Sequence, residues 1–332
     1  MVRLVRVTRD DLTIMRRRSG KGFCYKAPDG TLVCDAESKA RIKALGIPPA
    51  WTEVRIAAHP RAHIQALGID QAGRMQYVYH PDWEARRTGK KQRRLAALTA
   101  VLPKVRRKVQ ADLAREAGSR ELALAIAVAL IDRTAMRVGR EKYLEASGTR
   151  GAGTLYSRDV RVNGSEVGMT FNAKGGKRAE YSITDARLAD AITRIQTLSG
   201  KRLLVYRDAD GKVRPIKTAS INEYLRSLSG VEISAKDFRT LHASAMAAEA
   251  LAQLEAGTSA ASRRRQIAQV AREISQVLRN TPMICRKSYI APCLFKLFDE
   301  GKLRDLWSAA GGARVGLKQR EQRLATVLAA VT

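Results

Sequence analysis

The hydrophobic pattern of this 332-residue chain changes at one basic segment, residues 86–94 (RRTGKKQRR). Before it, short stretches rich in β-branched and aromatic residues alternate with turn residues, which is typical of strands. After it, apolar residues recur at helical spacing from Leu95 onward. A chain of this length can bury two cores. The sequence therefore predicts a β-rich domain at residues 1–90 and a mainly α-helical domain at residues 91–332. The basic segment is then an exposed linker, either only solvated or also touching phosphates.

The N-terminal part predicts a small sheet. Residues 22–26, the turn Asp29-Gly30 and residues 31–34 suggest a hairpin, and residues 53–57 and 75–79 suggest further strands. A short helix is expected at residues 37–45. Because side chains alternate along a strand, Tyr77 and Tyr79 should lie on one face.

The remainder predicts helices with one β island, which makes the fold class α+β. Apolar periodicity indicates helices at residues 95–117, 121–135, 220–228, 236–254 and 261–278. Between them, residues 155–162, 167–171 and 179–183 predict a three-stranded meander with turns at 163–164 and 174–177. Residues 203–206 and 212–216 predict two more strands.

The charge points to a polyanionic partner. Lysine and arginine total 61 against 32 acidic residues, a net charge of +29 with a pI near 10.6. The cations are spread along the chain and not gathered beside an apolar anchor, which favours nucleic acid over a membrane surface. The longest apolar run, residues 122–131, is shorter than the roughly 18 residues of a membrane span and predicts a core helix. No apolar signal segment begins the sequence, so a cytoplasmic location is expected.

Several kinds of chemistry find no support in the sequence. The four cysteines, Cys24, Cys34, Cys285 and Cys293, form no CxxC pair and have no histidines at zinc spacing. No Walker motif, HExxH motif or acidic cluster occurs, which argues against metal-dependent nucleases and ATP-driven enzymes. The expectation is a reduced protein without a metal knuckle or a disulfide framework.

Tyr289 is the candidate nucleophile. A phenol with a pKa of about 10 attacks poorly at neutral pH unless cations stabilise its phenolate. Arg286 and Lys287 stand just before Tyr289, and prolines bound the segment. The alternative is a half-buried packing tyrosine whose hydroxyl reaches water.

Three cations are further candidates. Lys174 sits at a glycine-containing hairpin tip, from which its ammonium could reach into a partner's groove. Arg239 lies at a helix start, where the helix dipole favours an anion. Arg137 precedes Gly139, which either ends a helix or permits a close backbone approach. The alternatives are a solvated lysine, a salt bridge from Arg239 to Asp237 or a neighbouring acid, and an ordinary charged helix end.

The order of these residues resembles the type IB DNA topoisomerases, specifically the small poxvirus-like bacterial enzymes. The resemblance rests on Arg137, on Lys174 in a hairpin, on residues 236–240 (KDFRT), on Asn280, and on residues 287–290 (KSYI). Residues 63–70 and 73–80 look like the DNA-contacting β domain of that family. The resemblance therefore covers nearly the whole chain.

The resemblance implies a covalent phosphoryl transfer that needs neither ATP nor a metal. Tyr289 would attack a DNA phosphodiester to form a 3′-phosphotyrosyl link and release a 5′-hydroxyl, which reseals the strand after rotation. Lys174 would protonate the leaving oxygen with help from Arg137, while Arg137 and Arg239 would hold the nonbridging oxygens. Many family members carry histidine where this chain has Asn280. An amide cannot carry charge, so Asn280 is expected to be a neutral donor to a nonbridging oxygen.

The same resemblance implies DNA contacts from Gln76, Tyr77 and Tyr79 in the groove and from Arg140 and Tyr143 on the catalytic side. The two lobes would close around duplex DNA as a clamp, in a monomer associated with the nucleoid. Simple packing on one strand face is the alternative for the two strand tyrosines.

Two other functions stay open at this point. A tyrosine recombinase shares the catalytic architecture, but its second arginine normally follows a histidine by three positions, where this chain has Lys236. The predicted N-terminal strands also differ from the four-helix domain of recombinases. The second alternative is a non-enzymatic basic DNA- or RNA-binding protein in which Tyr289 is structural.

Overall fold

The computed structural model describes residues 3–311 and 316–331. Contacts within the chain divide it into two compact units, Met1–Lys90 and Lys91–Thr332. The first unit is built on a β-sheet, and the second is mostly helical with a β meander, so the predicted α+β class is confirmed.

A five-stranded antiparallel sheet forms the first unit. Its strands are β1 (Ile14–Ser19), β2 (Gly22–Lys26), β3 (Thr52–Ile56), β4 (Ile64–Ile69) and β5 (Met75–Tyr79), in the order β2-β1-β3-β4-β5. Helix α1 (Ala36–Ala44) buries Ile42 in one small core, with Val54 and Ile56 from β3. A second small core contains Leu12 and Leu67. Cores on both sides follow from the alternation of side chains along the strands.

The predicted hairpin at residues 22–34 is wrong in its main partner. β2 pairs along its length with β1, from Met15 opposite Lys26 to Ser19 opposite Gly22. Leu32 makes only a single bridge to Lys26. Gly20 has a φ of 55°, which lets a two-residue turn join β1 and β2. The two-residue turn therefore joins the paired strands β1 and β2, and the Asp29-Gly30 turn adds only one bridge to β2.

The basic segment 86–94 is not a linker loop but part of the long helix α2 (Pro81–Asp112). Pro81 suits the first helical position, and the backbone N–H of Asp82 donates to His80 Nδ1 at 3.1 Å. Arginine and lysine are good helix formers, and Gly89 is the poorest helix former in the run. Buried leucines and valines then continue the helix from Leu95, and the division between the two units falls within it.

The second unit packs its helices around two central ones, α3 and α7. α3 is buried on nearly every side, and α7 contacts α8, α10, α11 and α12. The helices after α2 are α3 (Arg120–Thr134), α4 (Glu141–Ser147), α5 (Ala186–Gln196), α6 (Thr218–Ser229), α7 (Ala235–Gln253), α8 (Ala260–Val277), α9 (Pro282–Ile284), α10 (Pro292–Asp299), α11 (Leu303–Ala309) and α12 (Leu317–Ala329). Within the described residues, no helix is both long and apolar enough to cross a membrane.

The β island is the predicted meander with a later start. β6 (Val160–Asn163), β7 (Glu166–Asn172) and β8 (Arg178–Thr184) are antiparallel in the order β6-β7-β8, and β9 (Val205–Arg207) pairs with β10 (Val213–Pro215). Residues 155–159 were expected in the first strand but lead through a 3-10 turn at Ser157–Asp159. The inward side chains of β7, Val167, Met169 and Phe171, join the main core.

Candidate active site

Arg137 is placed by a sharp exit from α3. Ala135 ends that helix in a left-handed conformation with a φ of 53°. The carbonyl of Arg137 then accepts the backbone N–H of Ala152 at 2.9 Å. A Cβ at Gly139 would lie 2.3 Å from Thr154 Oγ1, and Gly139 has a φ of 79°. Glycine is therefore required there, which supports the predicted close backbone approach.

Asn280 is placed by a similar exit from α8. Arg279 follows the helix in a left-handed conformation with a φ of 49°. Arg137 Nη2 donates to Asn280 Oδ1 at 3.0 Å and to the carbonyl of Arg279 at 3.1 Å. This contact fixes the amide so that its oxygen faces Arg137. Asn280 Nδ2 is buried and has no hydrogen-bond partner among the described residues.

Arg239 joins these two helix ends. It lies in the second turn of α7 with only 3% of its surface exposed. Its guanidinium donates through Nη1 to the carbonyl of Ala135 and through Nη2 to the carbonyl of Leu278, the latter at 2.8 Å. Both carbonyls belong to helix C-termini, where no intrahelical donor remains. Asp237 bonds with Arg94 at 2.7 Å, so the alternative salt bridge to Arg239 does not occur.

Tyr289 faces this arginine from a turn of π-helix, Cys285–Tyr289. Such turns are rare and occur often at functional sites. The centre of the half-buried ring lies 4.9 Å from Arg239 Cζ and 5.8 Å from Lys236 Nζ. Burial raises the pKa of the phenol, but the charges of Arg239, Arg137 and Lys236 outweigh it and lower the pKa below its usual value. The phenolate of Tyr289 is thus more stable than that of a tyrosine in water.

The backbone after Tyr289 is held by two side chains. Ser244 Oγ donates to the carbonyl of Tyr289 at 3.2 Å and accepts the N–H of Ala291 at 3.0 Å. Lys91 Nζ donates to the carbonyl of Ile290 at 3.3 Å. Burial and the nearby charge of Lys236 lower the pKa of Lys91 to about 8. The nucleophile segment is therefore anchored on both α7 and α2.

Sequence reasoning did not assign roles to Lys236, Ser244 or Lys91. Lys236 stands one helical turn before Arg239, so helical spacing could have placed it on the same face. Ser244 lies on the same helix, but its partner is a backbone carbonyl, for which a sequence holds no signal. Lys91 is 199 positions from its partner.

Lys174 is the predicted catalytic residue that, among the described residues, has no contact with the other four, which are linked to one another by hydrogen bonds or by charge. It is exposed at the tip between β7 and β8, where Gly175 and Gly176 have φ values of 82° and 72°. Among the described residues it has no hydrogen bond or ion pair. The tip's position suits a side chain that meets an arriving ligand.

The hairpin that carries Lys174 is nevertheless tied to the site. Arg279 Nη1 donates to the carbonyl of Arg178 at 3.1 Å, and its Nη2 donates to that of Glu180 at 2.6 Å. The same guanidinium lies 5.0 Å from the ring centre of Tyr181. β8 is thus attached to the residue just before Asn280.

Two predicted DNA-contacting residues lie beside α4. Arg140 directly precedes the helix and is exposed, and half of the Tyr143 surface is exposed (50%). Lys142 Nζ lies 5.7 Å from the Tyr143 ring. An exposed aromatic ring among cations is a suitable surface for nucleic acid.

The predicted contacts in the first unit cluster on β5. The rings of Tyr77 and Tyr79 are stacked with centres 5.9 Å apart, which confirms that they share a face. Arg9 lies over Tyr77 at 5.7 Å and Arg87 over Tyr79 at 5.0 Å. Gln76 donates to Asp70 Oδ2 at 2.8 Å. The tyrosines are half-buried, so packing and ligand contact are both compatible with them.

One group of possible metal ligands is an ion-pair network instead. Asp132, His242 and Glu321 are buried and close together. Arg106 donates to Asp132 and to Glu321, with shortest distances of 2.7 Å to each. His242 Nε2 donates to the carbonyl of Asp132 at 2.7 Å. A guanidinium therefore occupies the position that a cation would take.

Taken together, Arg137, Arg239, Asn280 and Tyr289 converge on a place for an anion. Arg239 Nε, like Asn280 Nδ2, is buried without a partner among the described residues. Leaving a buried donor unpaired costs about 1–3 kcal/mol, so such atoms need an explanation. An anionic ligand beside Tyr289 would satisfy both.

Comparisons with known proteins identify the family of the chain. Residues 81–293 match the family described as eukaryotic DNA topoisomerase I, catalytic core, and residues 22–70 match the bacterial DNA topoisomerase IB N-terminal domain. DNA topoisomerase 1B of Acanthamoeba polyphaga mimivirus is 28% identical over 292 residues, which cover 86% of this chain and 87% of that protein. The two matches leave residues 71–80 between them, where Gln76, Tyr77 and Tyr79 lie.

The fold and these matches place the chain in the class of DNA topoisomerases. The catalytic-core match covers well over half of the chain and includes all five predicted catalytic positions. The chain belongs to the type IB topoisomerase family, and the predicted resemblance is confirmed. The matches favour this family over both the recombinase and the non-enzymatic alternatives.

Proposed function

We propose that this protein relaxes supercoiled duplex DNA by cutting one strand, allowing rotation and rejoining the strand, without ATP or a required metal ion. The observation that carries the proposal is the pair of buried unpartnered donors, Arg239 Nε and Asn280 Nδ2, beside a phenol whose pKa is lowered. A phosphodiester supplies the missing acceptors. Family membership supports the same activity.

The proposed chemistry conserves one phosphodiester bond at each step. Tyr289 Oη attacks the phosphorus, the bond to the 5′ oxygen breaks, and a 3′-phosphotyrosyl link forms. Arg137, Arg239 and Asn280 hold the nonbridging oxygens, where negative charge gathers in the transition state. The 5′-hydroxyl later attacks the phosphotyrosine and restores the strand. No net bond is lost, so no nucleotide hydrolysis is needed.

Lys174 is the proposed general acid. Its exposed hairpin tip can approach the departing 5′ oxygen once DNA is present, because loops of this kind adjust on binding. The contacts of Arg279 with β8 support a position close to the reacting phosphate. Asn280 is the neutral donor that replaces the histidine of many relatives.

The two compact units are the proposed domains, a DNA-binding domain at residues 1–90 and a catalytic domain at residues 91–332. Gln76, Tyr77 and Tyr79 contact DNA from the first and Arg140 and Tyr143 from the second. The net charge of +29 supports several phosphate contacts at once. Since one tyrosine cuts one strand, we propose a monomer, located with the chromosome in the nucleoid.

The test is relaxation of a negatively supercoiled plasmid in EDTA without ATP. We expect complete relaxation, because the cations of the site replace a metal. Rapid denaturation with detergent should trap a fraction of the protein on the 3′ side of the break, while the 5′ end stays open to polynucleotide kinase. A plasmid that stays supercoiled, or protein attached to the 5′ end, would refute the proposal.

Substitution of Lys236 by glutamine should shift the pH dependence of cleavage. Lys236 Nζ lies 5.8 Å from the Tyr289 ring and its charge lowers the pKa of the phenol. Without that charge the phenolate forms at higher pH, so the midpoint of the rising pH–rate curve moves upward. Single-turnover cleavage of an end-labelled duplex measures this midpoint. The control is Lys296→Gln, whose cation is 79% exposed and pairs with Glu300. An unmoved midpoint in Lys236→Gln contradicts the assignment.

A further inference from the structure

An apolar patch lies on the surface beside the nucleophile segment. Among the described residues of the second unit, five large apolar or aromatic side chains are exposed, and Val277, Met283 and Ile284 are three of them. Met283 is 72% exposed, Val277 52% and Ile284 38%. α9 packs on α8, so the three residues come from two helices in contact. We call them the α8–α9 patch.

The same segment also contains apolar residues that are buried, so the exposure of the α8–α9 patch is not forced by its position in the chain. Cys285 and Ile290, in the same segment, are fully buried in the main core. The segment therefore does have buried apolar positions, and Met283 does not occupy one of them. The three exposed residues belong to elements in contact, and exposed apolar surface gathered in one place commonly marks an interaction site.

The patch lies in a mainly basic stretch of the sequence, and its nearest acidic residue is Glu273, one helical turn before Val277 on α8. Residues 274–298 contain no aspartate or glutamate, and their four cations are Arg279, Arg286, Lys287 and Lys296. A partner that fits must offer negative charge and apolar surface together. Duplex DNA does so, because its phosphates alternate with deoxyribose and its base edges include thymine methyl groups.

We propose that the α8–α9 patch packs on the sugar and base face of the DNA strand near the phosphodiester that Tyr289 attacks; this rests on the proposed function. Met283 is six residues before Tyr289 along helical turns, about 9 Å at 1.5 Å per residue. At about 3.4 Å per nucleotide step, the contact falls within about three nucleotides of the reacting phosphate. Methionine and isoleucine are among the side chains that pack against or between base steps.

The test separates apolar contact from phosphate contact by salt dependence. Binding of a fluorescent duplex is measured over a series of salt concentrations in Tyr289→Phe, which cannot form the covalent link. Adding Met283→Ser should weaken binding about tenfold from the lost apolar burial. The slope of log affinity against log salt should not change, because no phosphate contact is lost. Met283→Leu should keep the affinity.

Leu254→Ser is the matched control, since Leu254 is an exposed leucine (37%) at the far end of α7. Its affinity should equal that of the parent. The inference is overturned if Met283→Ser binds the duplex as tightly as the parent. It is also overturned if Met283→Ser loses only self-association or only binding to phosphatidylglycerol vesicles, both measured by sedimentation. If the unsubstituted chain neither binds the duplex nor relaxes a plasmid, the proposed function fails instead.

Discussion

Tyr289→Phe is expected to abolish plasmid relaxation and covalent trapping while duplex binding persists. Removal of an attacking group lowers a rate on the order of 10⁴-fold or more, and phenylalanine has no oxygen with which to form the covalent bond. The ring stays, so its packing over Arg239, 4.9 Å away, is kept. The measurement is time-resolved relaxation of supercoiled plasmid over a wide range of enzyme concentration, with anisotropy for binding.

Tyr156→Phe is the control for this substitution. Tyr156 is also half-buried among cations, with Arg150, Lys201 and Arg158 at 4.8, 4.9 and 5.5 Å from its ring centre. The closest of these cations, Arg150, already has a carboxylate partner, since its Nε lies 2.7 Å from Asp159 Oδ2. We therefore expect Tyr156→Phe to relax plasmid at nearly the parent rate. Full activity in Tyr289→Phe, or loss of activity in both variants, would refute Tyr289 as the nucleophile. Because cations surround both rings, a difference between the two variants must come from something other than nearby positive charge.

The fold was largely predictable where one pattern dominates a stretch. β5 was placed at its observed bounds, and the helices α3, α6, α7 and α8 within two residues, because their apolar periodicity is long and uninterrupted. The basic segment misled because charge and a glycine suggested a linker, although helix propensity favours arginine and lysine. The hairpin was misplaced because two turns competed for β2, and only three-dimensional packing decides such a competition.

The sequence named candidate site residues but not their arrangement. The order of Arg137, Lys174, Arg239, Asn280 and Tyr289 carried the family resemblance, and the structure brings four of them together. The side chains are positioned by hydrogen bonds to backbone carbonyls at helix ends. Every residue has such a carbonyl, so the sequence does not show which of them take part. Ala135 and Arg279 adopt left-handed conformations although neither is a glycine, so the sequence gives no sign of the turns there. Their geometry depends on tertiary contacts, and above all on Arg239.

Arg239→Ala is expected to slow single-turnover cleavage by about 10³-fold, since loss of one transition-state donor in a preorganised site costs about 10²–10³. Two effects add to that loss. The pKa of Tyr289 rises, because the charge of Arg239 is the largest influence that lowers it. The carbonyls of Ala135 and Leu278 also lose their donor, which loosens the exits that carry Arg137 and Asn280.

Arg239→Lys separates these effects. Lysine keeps the charge near the phenol, but its single ammonium cannot reproduce the planar fork that joins two helix ends and still presents a third donor. If charge were the whole contribution, Arg239→Lys would cleave nearly as fast as the parent. Because the fork also positions Arg137 and Asn280, we expect a loss of at least about tenfold in Arg239→Lys. Its pH–rate midpoint, by contrast, should stay near that of the parent.

Thermal unfolding and noncovalent duplex binding decide whether a slow Arg239 variant is merely misfolded. An unsatisfied buried carbonyl costs about 1–3 kcal/mol, so a lowered unfolding temperature is expected in Arg239→Ala, with DNA binding retained below it. If Arg239→Ala cleaves as fast as the parent, Arg239 is not part of the active site. If Arg239→Lys cleaves slowly but keeps the pH midpoint of the parent, arginine is needed here chiefly for its geometry. Its role is then to hold the ends of α3 and α8 around one phosphate.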